Sequence, residues 1–297
     1  MVLKRKGKRL FRSARQELKL AAGRKASAQT ASESFRLAYS DQEFLLRKEL
    51  RPIRLQLELL KPELIQHGAK IKSTVVIFGS ARIPESAVAK RRLQSIQAHL
   101  TKNPDDKVLQ NQMKIAKRIV EKSHYYDEAR HLAKLISRHG RDEEGNPLII
   151  VTGGGPGMME AANRGAYEVG AKNIGLNIVL PMEQAPNHYI TPELCFQFHY
   201  FAVRKMHFLI RAKALVVFPG GYGTLDELFE ALTLVQTGKI ARMPIILVGK
   251  EYWQKLLNFD FMVEEGVIDA EDLGLFEYAE TAQDAWEKIR VFYEGSK

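Results

Sequence analysis

The sequence predicts an α/β fold: a Rossmann-like doubly wound parallel sheet with helices on both faces, preceded by a helical N-terminal extension. From residue 74 onwards, short runs of aliphatic and β-branched residues alternate with longer segments of helical periodicity. That alternation is typical of βαβ units. Three of the runs end in turns that contain glycine. Such turns at the carboxyl ends of parallel strands are where doubly wound sheets bind their ligands.

The first segment, residues 1–26, is predicted to be a basic flexible tail. Residues 1–25 hold ten Lys and Arg side chains against one acid, Glu17, a net charge of +9, whereas the other 272 residues hold 35 basic and 34 acidic groups. A groove for a polyanion would need a basic body, so the charge indicates an electrostatic arm that contacts anionic partners weakly. A solvated extension, an arm for RNA or acidic membranes, and a transit peptide all remain open.

Residues 27–70 are predicted to form the helical extension. Leucine and isoleucine recur there at mixed helical spacing, and Pro52 and Pro62 interrupt the pattern. Because proline removes a helical hydrogen bond, two or three short helices are expected rather than one long helix. We interpret them as a packing or dimerisation appendage.

Residues 71–297 are predicted to be the Rossmann-like, nucleotide-binding catalytic domain. Its strands are expected at 74–78, 148–152, 174–180, 214–218 and 244–249. Its helices are expected at 158–169, 200–212, 224–236, 253–259 and 282–293. The connection between the first two strands is long and charged. It is interpreted as a helical insert over about 83–124, with a break at 103–106, followed by a crossover helix at 126–139.

Glycine-rich loops follow three of these strands, at residues 79–82, 153–157 and 219–224. Glycine lets the backbone approach a ligand closely, and a helix that follows such a loop offers free N–H groups to a phosphate. Thr224 adds a hydroxyl and is a good N-cap residue. The dinucleotide pattern G-x-G-x-x-G fails, because its third glycine is replaced by Met158, Glu160 or Asp226, depending on where the pattern starts. No G-x-x-x-x-G-K-[ST] motif occurs either.

Charged residues flank the loop at 219–224. Glu227 is expected in the first turn of the next helix, where the helix dipole would keep its carboxylate ionised. Arg204 and Lys205 belong to the helix before the same strand, and the chain can return Arg204 to the loop. The alternatives are a helix-terminal charge without chemistry for Glu227 and a solvated surface position for Arg204.

Several other classes of protein are not indicated. The eight histidines show no zinc-ligand spacing, and no G-x-S-x-G elbow occurs. The single cysteine, Cys195, cannot form an internal disulfide and is expected to be a small buried side chain. No apolar run approaches the roughly 20 residues of a membrane helix. A cytoplasmic protein without a membrane span, metal or cofactor is expected.

Several motifs together resemble one known family. Residues 219–227 match P-G-G-x-G-T-x-x-E, Arg204 and Lys205 match an R-K pair, and residues 153–165, 175–184 and 229–238 resemble the longer bacterial form. The chain therefore resembles the LOG family, the cytokinin riboside 5′-monophosphate phosphoribohydrolases, which are often mislabelled as lysine decarboxylases. The resemblance covers about residues 73–260. It departs from the short plant pattern M-H-x-R-K, because Phe201 and Ala202 occupy the M-H positions.

The resemblance implies an enzyme that cleaves the N-glycosidic bond of a nucleoside 5′-monophosphate, AMP or a cytokinin nucleotide. Arg204 and Glu227 match the two catalytic residues. The implied substrate- and phosphate-binding residues are Gly79, Ser80, Arg82, Gly154, Gly155, Gly157, Met158, Lys205, Gly220, Gly221, Gly223 and Thr224. Members of the family usually form homodimers, so a homodimer or higher homo-oligomer is expected.

Two other functional classes stay open at this point. Rossmann-like carriers of molybdenum cofactor use similar glycine loops, so a nucleotide- or cofactor-binding protein without catalysis is an alternative. Such a carrier would not need both Arg204 and Glu227. A decarboxylase would need pyridoxal phosphate and a Schiff-base lysine, and no lysine lies in a recognisable setting for it.

Overall fold

A computed structural model of the chain describes residues 11–181 and 185–294. The first ten residues of the predicted tail, and residues 182–184 of the motif at 175–184, lie outside the described residues. The chain divides into two compact units, residues 1–57 and residues 58–297. Each unit is described by itself below.

The first unit contains short helices. They are α1 (Ala14–Ala22), α2 (Ala28–Ala31) and α3 (Gln42–Leu46), with 3-10 turns at Glu33–Phe35, Ala38–Ser40 and Lys48–Leu50. Helix α1 lies within the segment expected to be a flexible tail. It begins in a capping box, in which Ser13 accepts a hydrogen bond from the Gln16 backbone and the Gln16 side chain accepts one from Ser13. None of α1, α2 and α3 buries a side chain.

Helix α4 spans Arg51–Gly68 and is continuous for 18 residues. The segment at 27–70 holds several helices, as predicted, and Pro52 lies at the start of one of them, but the predicted interruption at Pro62 was wrong. Pro52 is the second residue of the helix, where its missing N–H costs nothing. Pro62 lies inside the helix and is buried. Its ring leaves the carbonyl four residues earlier, that of Glu58, without its usual helical donor.

The second unit is built on a seven-stranded, entirely parallel sheet. The strands are β1 (Ser73–Phe78), β2 (Leu148–Thr152), β3 (Asn173–Ile178), β4 (Cys195–Phe198), β5 (Ala212–Val217), β6 (Ile245–Val248) and β7 (Glu277–Ala279). All five predicted strands are confirmed, and the two edge strands, β4 and β7, were not predicted. The spatial order is β4-β3-β2-β1-β5-β6-β7.

The remaining helices surround this sheet. They are α5 (Ser86–Lys102), α6 (Lys107–Lys122), α7 (His124–His139), α8 (Met158–Glu168), α9 (Phe201–Leu209), α10 (Tyr222–Gln236), α11 (Lys250–Leu256), α12 (Phe259–Glu264) and α13 (Ala282–Glu294). The insert is a hairpin of α5 and α6 that breaks where predicted. The single helix expected at 253–259 is replaced by α11 and α12, because the Asn258 side chain caps a new helix by accepting from the Phe261 N–H.

Both faces of the sheet are covered by helices, as predicted. Val75 and Ile77 of β1 belong to a buried cluster with side chains of α7, α8 and α13. Side chains alternate along a strand, and Phe78 accordingly packs on the other face, edge-on against Phe208 of α9 with 4.7 Å between ring centroids. Among the residues that the structure describes, no helix is long and apolar enough to cross a membrane.

The sheet order reverses direction at β1. The chain runs outward from β1 to β4 and then returns to place β5 on the other side of β1. The loops after β1 and β5 therefore diverge and leave a crevice between them at the carboxyl ends of the strands, which is the usual ligand site of a doubly wound sheet.

Candidate active site

A cleft of about 610 Å³ opens at this crevice. That volume lies within the range of small-molecule sites. The cleft brings together most of the site residues expected from the sequence. Those that line it are Gly79, Ser80, Arg82, Arg204, Gly220, Gly221, Gly223, Thr224 and Glu227.

The loop after β5 forms one wall of the cleft and leads directly into α10. The helix begins at Tyr222, with Gly221 as its N-cap and no side-chain capping bond. Thr224 is therefore not the N-cap, as the sequence suggested, but the third helical residue, and its hydroxyl packs against Gly220. The first turn of α10 contains no acidic residue. No side chain of that turn therefore neutralises its N–H groups or the positive end of the helix dipole.

Arg204 of α9 reaches the cleft across the carboxyl end of β3. Its Nε donates to the carbonyl of Leu176 at 2.9 Å, and its guanidinium carbon lies 5.2 Å from the ring centroid of Phe208. It lies close to Gly153, where a Cβ would come within 2.8 Å of Nη2 of Arg204 and would displace the guanidinium. Burial lowers the pKa of Arg204, and the charges of Glu227 and Asp226 oppose that effect.

Glu227 lines the same cleft from α10 and is 6% exposed. It is the sixth residue of that helix, so the prediction that it lies in the first turn was wrong. The prediction that it stays ionised was wrong as well. Burial raises the pKa of Glu227 to about 7, although Lys205 and Arg204 lower it. Desolvation outweighs both charges because the carboxyl group is almost removed from water. At neutral pH, Glu227 is thus divided between its acid and its carboxylate.

Lys205 lines a neighbouring groove along α10 instead of the cleft. Its ammonium group donates to Asp226 at 2.9 Å and lies 3.1 Å from a carboxylate oxygen of Glu230. Partial burial lowers the pKa of Lys205, but hydrogen bonds to these two carboxylates raise it above the ordinary value. A lysine held as an ammonium in this way is a poor nucleophile for a Schiff base.

The loop after β2 supports the cleft from behind. Gly157 has a φ of +69°, and a Cβ there would collide with the backbone of Ser80 and lie 2.8 Å from the carbonyl carbon of Ala81. Met158 is fully buried beneath Gly79. Neither residue lines the cleft, and Gly154 and Gly155 do not line it either.

Buried amides fix the conformation of that second loop. Asn187 donates from its side chain to the carbonyls of Gly154 and Gly155, each at 3.1 Å, and from its backbone to Gly154. Asn163 accepts from the Thr152 hydroxyl at 2.7 Å. Because every one of these polar groups is satisfied, the network makes the loop rigid.

Sequence reasoning did not assign to the site several apolar and aromatic residues of the cleft, among them Phe201, Met159, Tyr252 and Leu256. Phe201 had one available signal, its place three residues before Arg204. Tyr252 and Leu256 follow β6, a strand whose end carries no glycine-rich motif. The Tyr252 hydroxyl donates to the carbonyl of Gly220 at 2.6 Å, so this residue also holds the loop after β5.

The described ranges, 11–181 and 185–294, contain no group of three or more His, Cys, Asp or Glu side chains arranged to hold a metal ion. His207, the buried histidine, lies 3.3 Å from Glu63 through Nδ1, and Cys195 is half-buried next to Asn177. Neither residue faces the cleft.

A family model described as "Possible lysine decarboxylase" matches residues 159–289, a range that contains Arg204, Glu227 and the loop after β5. A cytokinin riboside 5′-monophosphate phosphoribohydrolase of Arabidopsis thaliana is 31% identical over 178 residues, which are 58% of this chain and 77% of the relative. A second one from the same plant is 32% identical over 174 residues, or 57% of this chain and 76% of the relative.

Solved structures of similar fold include a molybdenum cofactor carrier protein from Chlamydomonas reinhardtii. It is 20% identical, has a TM-score of 0.44, and the match covers 74% of this chain and 96% of that one. The molybdenum cofactor binding protein of Rippkaea orientalis has a TM-score of 0.41 at 20% identity, with 56% of this chain and 86% of that chain covered. From the two Arabidopsis relatives, each more than 30% identical and matched over three quarters of its length, the chain belongs to the LOG family of cytokinin riboside 5′-monophosphate phosphoribohydrolases.

Proposed function

We propose that the protein hydrolyses the N-glycosidic bond of a nucleoside 5′-monophosphate and releases the free base and ribose 5-phosphate. The observation that carries this proposal is that Arg204 and Glu227, from two different helices, line one cleft together with the glycine loop that opens α10. A carboxyl group with a pKa of about 7, a guanidinium group and an anion-binding helix terminus suit this hydrolysis near neutral pH.

The 5′-phosphate is assigned to the loop after β5. Gly221 and Gly223 both line the cleft, and a Cβ on either would meet no atom within 4 Å. The space in front of these backbone groups is therefore open to a ligand. The N-terminus of α10 attracts an anion through its N–H groups and its dipole.

Glu227 in its carboxylate form is the general base. It takes a proton from a water molecule, whose oxygen bonds to C1′ of the ribose as the C1′–N bond breaks. The electron pair of that bond leaves with the base, which takes up the proton that Glu227 received from the water, and the carboxylate is restored. Positive charge develops on the sugar during this cleavage, as in other glycoside hydrolyses, and a nearby carboxylate stabilises it.

Arg204 is assigned a role in orientation and charge stabilisation. A guanidinium does not give up its proton under these conditions. Its bond to Leu176 and its packing on Phe208 hold it in place, so it can contact the nucleotide or the departing base without reorganisation. Lys205 takes a supporting part, because its positive charge lowers the pKa of Glu227.

The apolar part of the cleft is assigned to the base. Phe201, Met159 and Leu256 offer apolar surface that a flat purine or an isoprenoid substituent would cover. AMP and cytokinin riboside monophosphates are therefore the substrates to test first. The two Arabidopsis relatives are named for the second of these.

A homodimer in the cytoplasm is part of the same proposal. Leu60 and Leu64 of α4, Met206 of α9 and Ile210, the residue after α9, are exposed apolar side chains, and the two helices contact one another. Covering them with a second copy would remove apolar surface from water. Sedimentation of the purified protein at micromolar concentration should give twice the chain mass. The single cysteine, Cys195, suits a reducing compartment.

The test is chromatography after incubation of the purified protein with AMP, GMP, CMP, IMP and an isoprenoid-adenosine monophosphate. Free base and ribose 5-phosphate should appear in equal amounts from at least one of them. The Glu227→Gln variant should fold and lose at least about 100-fold in kcat, the usual contribution of a positioned general base. The control is Glu264→Gln, an exposed glutamate on α12. Intact nucleotides that only raise the melting temperature would favour a binding protein without catalysis.

A further inference from the structure

Helix α9, which holds Arg204, depends on another helix for its N-terminal cap. Its N-cap residue, Tyr200, makes no side-chain capping bond. The carboxylate of Glu58 on α4 accepts from the N–H of His199 at 2.8 Å and from the N–H of Tyr200 at 3.1 Å. Two donors at the start of α9 are thereby satisfied, and a negative charge is placed at the positive end of its dipole.

The other end of α9 is fixed by the same partner helix. Arg211, two residues after the helix ends, forms a bidentate pair with Glu63 of α4, at 2.5 Å and 2.7 Å. The hydrogen bonds from Arg211 hold the pKa of Glu63 below its ordinary value, so Glu63 is a carboxylate at neutral pH. Bidentate pairs of this kind restrict orientation as well as distance.

His207 adds a third contact between these two fixed ends. Its side chain is completely buried, and its Nδ1 lies 3.3 Å from Glu63. Burial lowers the pKa of His207, whereas the carboxylate of Glu63 and the backbone of Glu58 raise it. The Glu58 carbonyl is the one that Pro62 leaves without a helical donor. The proline in α4 thus frees a polar group next to α9.

We propose that Glu58 and Glu63 are positioning residues, which hold α9 at both ends so that Arg204 faces Glu227 across the cleft. This inference rests on the proposed function, because it assigns the two carboxylates to the same site. Arg204 and Glu227 belong to different helices, so their relative position depends on where α9 lies. Arg204 packs closely on the backbone of residue 153 and bonds to Leu176, and a small shift of α9 breaks that fit.

Both carboxylates lie outside the residues that the family model matches, 159–289. They belong to the helical segment that precedes the sheet. The sequence predicted a packing role for this segment, and we assign to part of α4 the support of the active site.

The experiment compares Glu58→Ala and Glu63→Ala with Lys61→Ala, a change of an exposed residue on the same helix. A misplacement of about 1 Å costs roughly 100-fold in rate. Each glutamate variant should therefore lose about 10- to 100-fold in kcat, with a smaller rise in KM, because α9 also carries Phe201 of the proposed base pocket whereas the phosphate loop is on α10. Lys61→Ala should keep both constants. The conservative Glu58→Gln keeps one of the two acceptor oxygens and should recover part of the lost rate.

Two further measurements separate positioning from general loss of structure. In an Arg204→Ala background, Glu58→Ala should have no additional effect on kcat, whereas a full additional loss would overturn the proposal. Wild-type kcat in both folded alanine variants would overturn it as well. If an alanine variant does not fold, Glu58→Gln and Glu63→Gln in the same two backgrounds provide the comparison.

The last readout does not need activity. The Nε–H signal of Arg204 in a ¹⁵N spectrum, identified by its loss in Arg204→Lys, should exchange with solvent faster in Glu58→Ala than in the wild type. A wild type that cleaves no nucleotide would end the proposed function, while faster exchange would still support the positioning role. An unchanged exchange rate in both glutamate variants would overturn the positioning role even in an active enzyme.

Discussion

At the scale of single residues, Glu227 shows two physical effects in competition. Its neighbours Arg204 and Lys205 favour the carboxylate, whereas burial favours the neutral acid, and burial wins. The sequence showed the positive charges but not the depth of the cleft wall. Burial decides the direction of the pKa shift of Glu227, because the desolvation of its carboxylate exceeds the attraction of partly screened charges.

The raised pKa of Glu227 predicts how the reaction depends on pH. If the carboxylate is the general base, kcat should rise with pH and level off above an apparent pKa of about 7. A stopped assay with AMP between pH 5 and pH 9 measures this rise of kcat with pH. A rate that falls through pH 7 would instead make Glu227 the general acid. The control variant Glu264→Gln should show the same rise of kcat with pH as the wild type.

The same shift predicts that Glu227 costs stability above neutral pH. Its pKa is about 7 in the folded protein and 4.5 ordinarily, so the folded state holds this proton more tightly than the unfolded state. The stability that this proton contributes to the folded state is therefore fully present below pH 4.5 and is lost as the pH rises through 7. Glu227→Gln removes the loss and should raise the free energy of unfolding at pH 8 by at most about 3 kcal/mol.

Denaturant titration of wild type and Glu227→Gln at pH 4.5 and pH 8 tests this prediction. The variant should be more stable than the wild type at pH 8 by a larger margin than at pH 4.5. Equal margins at the two pH values would mean that the carboxyl group is solvated and has an ordinary pKa.

At the scale of elements, the start of α10 serves binding at the expense of helix stability. Gly223 is the second residue of the helix, and a Cβ there meets no atom within 4 Å. Gly223→Ala should therefore stabilise the protein by up to about 1 kcal/mol through helix propensity. The new methyl group would occupy the proposed phosphate site, so KM for the nucleotide should rise at least about tenfold.

Gly68→Ala is the matched control for that change. Gly68 is the last residue of α4, and a Cβ there also meets no atom within 4 Å. Its replacement should change KM by less than twofold. A wild-type KM in Gly223→Ala, with the protein folded, would place the phosphate elsewhere in the cleft.

Elements with a strong local signal could be predicted from the sequence, and those without one could not. Strands β1 and β2 and the last four residues of β5 are continuous buried runs, which periodicity detects. Strand β7 has three residues and begins with an exposed glutamate, so it exists only because β6 offers an edge to pair with. Helix α4 continues through Pro62 because tertiary packing buries that residue, which local propensity does not reveal.

The residues of the candidate site also divide into those that a local sequence pattern predicts and those that it does not. The loops after β1 and β5 were predicted as part of it, because glycine clusters at strand ends have a recognisable pattern, and the structure brings them into one cleft. The loop after β2 has an equally strong pattern, yet its Gly157 and Met158 pack behind the cleft. Tyr252 has no local signal, since its role depends on a hydrogen bond to Gly220, 32 residues earlier.

At the scale of the whole molecule, charge and chemistry lie in different parts of the chain. The net charge of +10 is almost entirely that of residues 1–25, whereas the cleft residues are all between 78 and 256. We therefore expect the positive charge of the tail and the proposed hydrolysis to be separable, because every cleft residue belongs to the second unit.

Deletion of residues 1–25 should leave kcat and KM for the nucleotide within about twofold of the wild type. The same deletion should abolish any retention on a heparin column, because the remaining chain is nearly neutral, with a net charge of +1. The control is the full-length chain with the same purification tag, measured at 50 and 200 mM salt.

Binding of the full-length chain to heparin should weaken steeply between those two salt concentrations, whereas its rate of nucleotide hydrolysis should not change. A truncated protein that folds but loses hydrolysis would mean that the basic segment takes part in the reaction. Charge and catalysis could then no longer be assigned to separate parts of the chain.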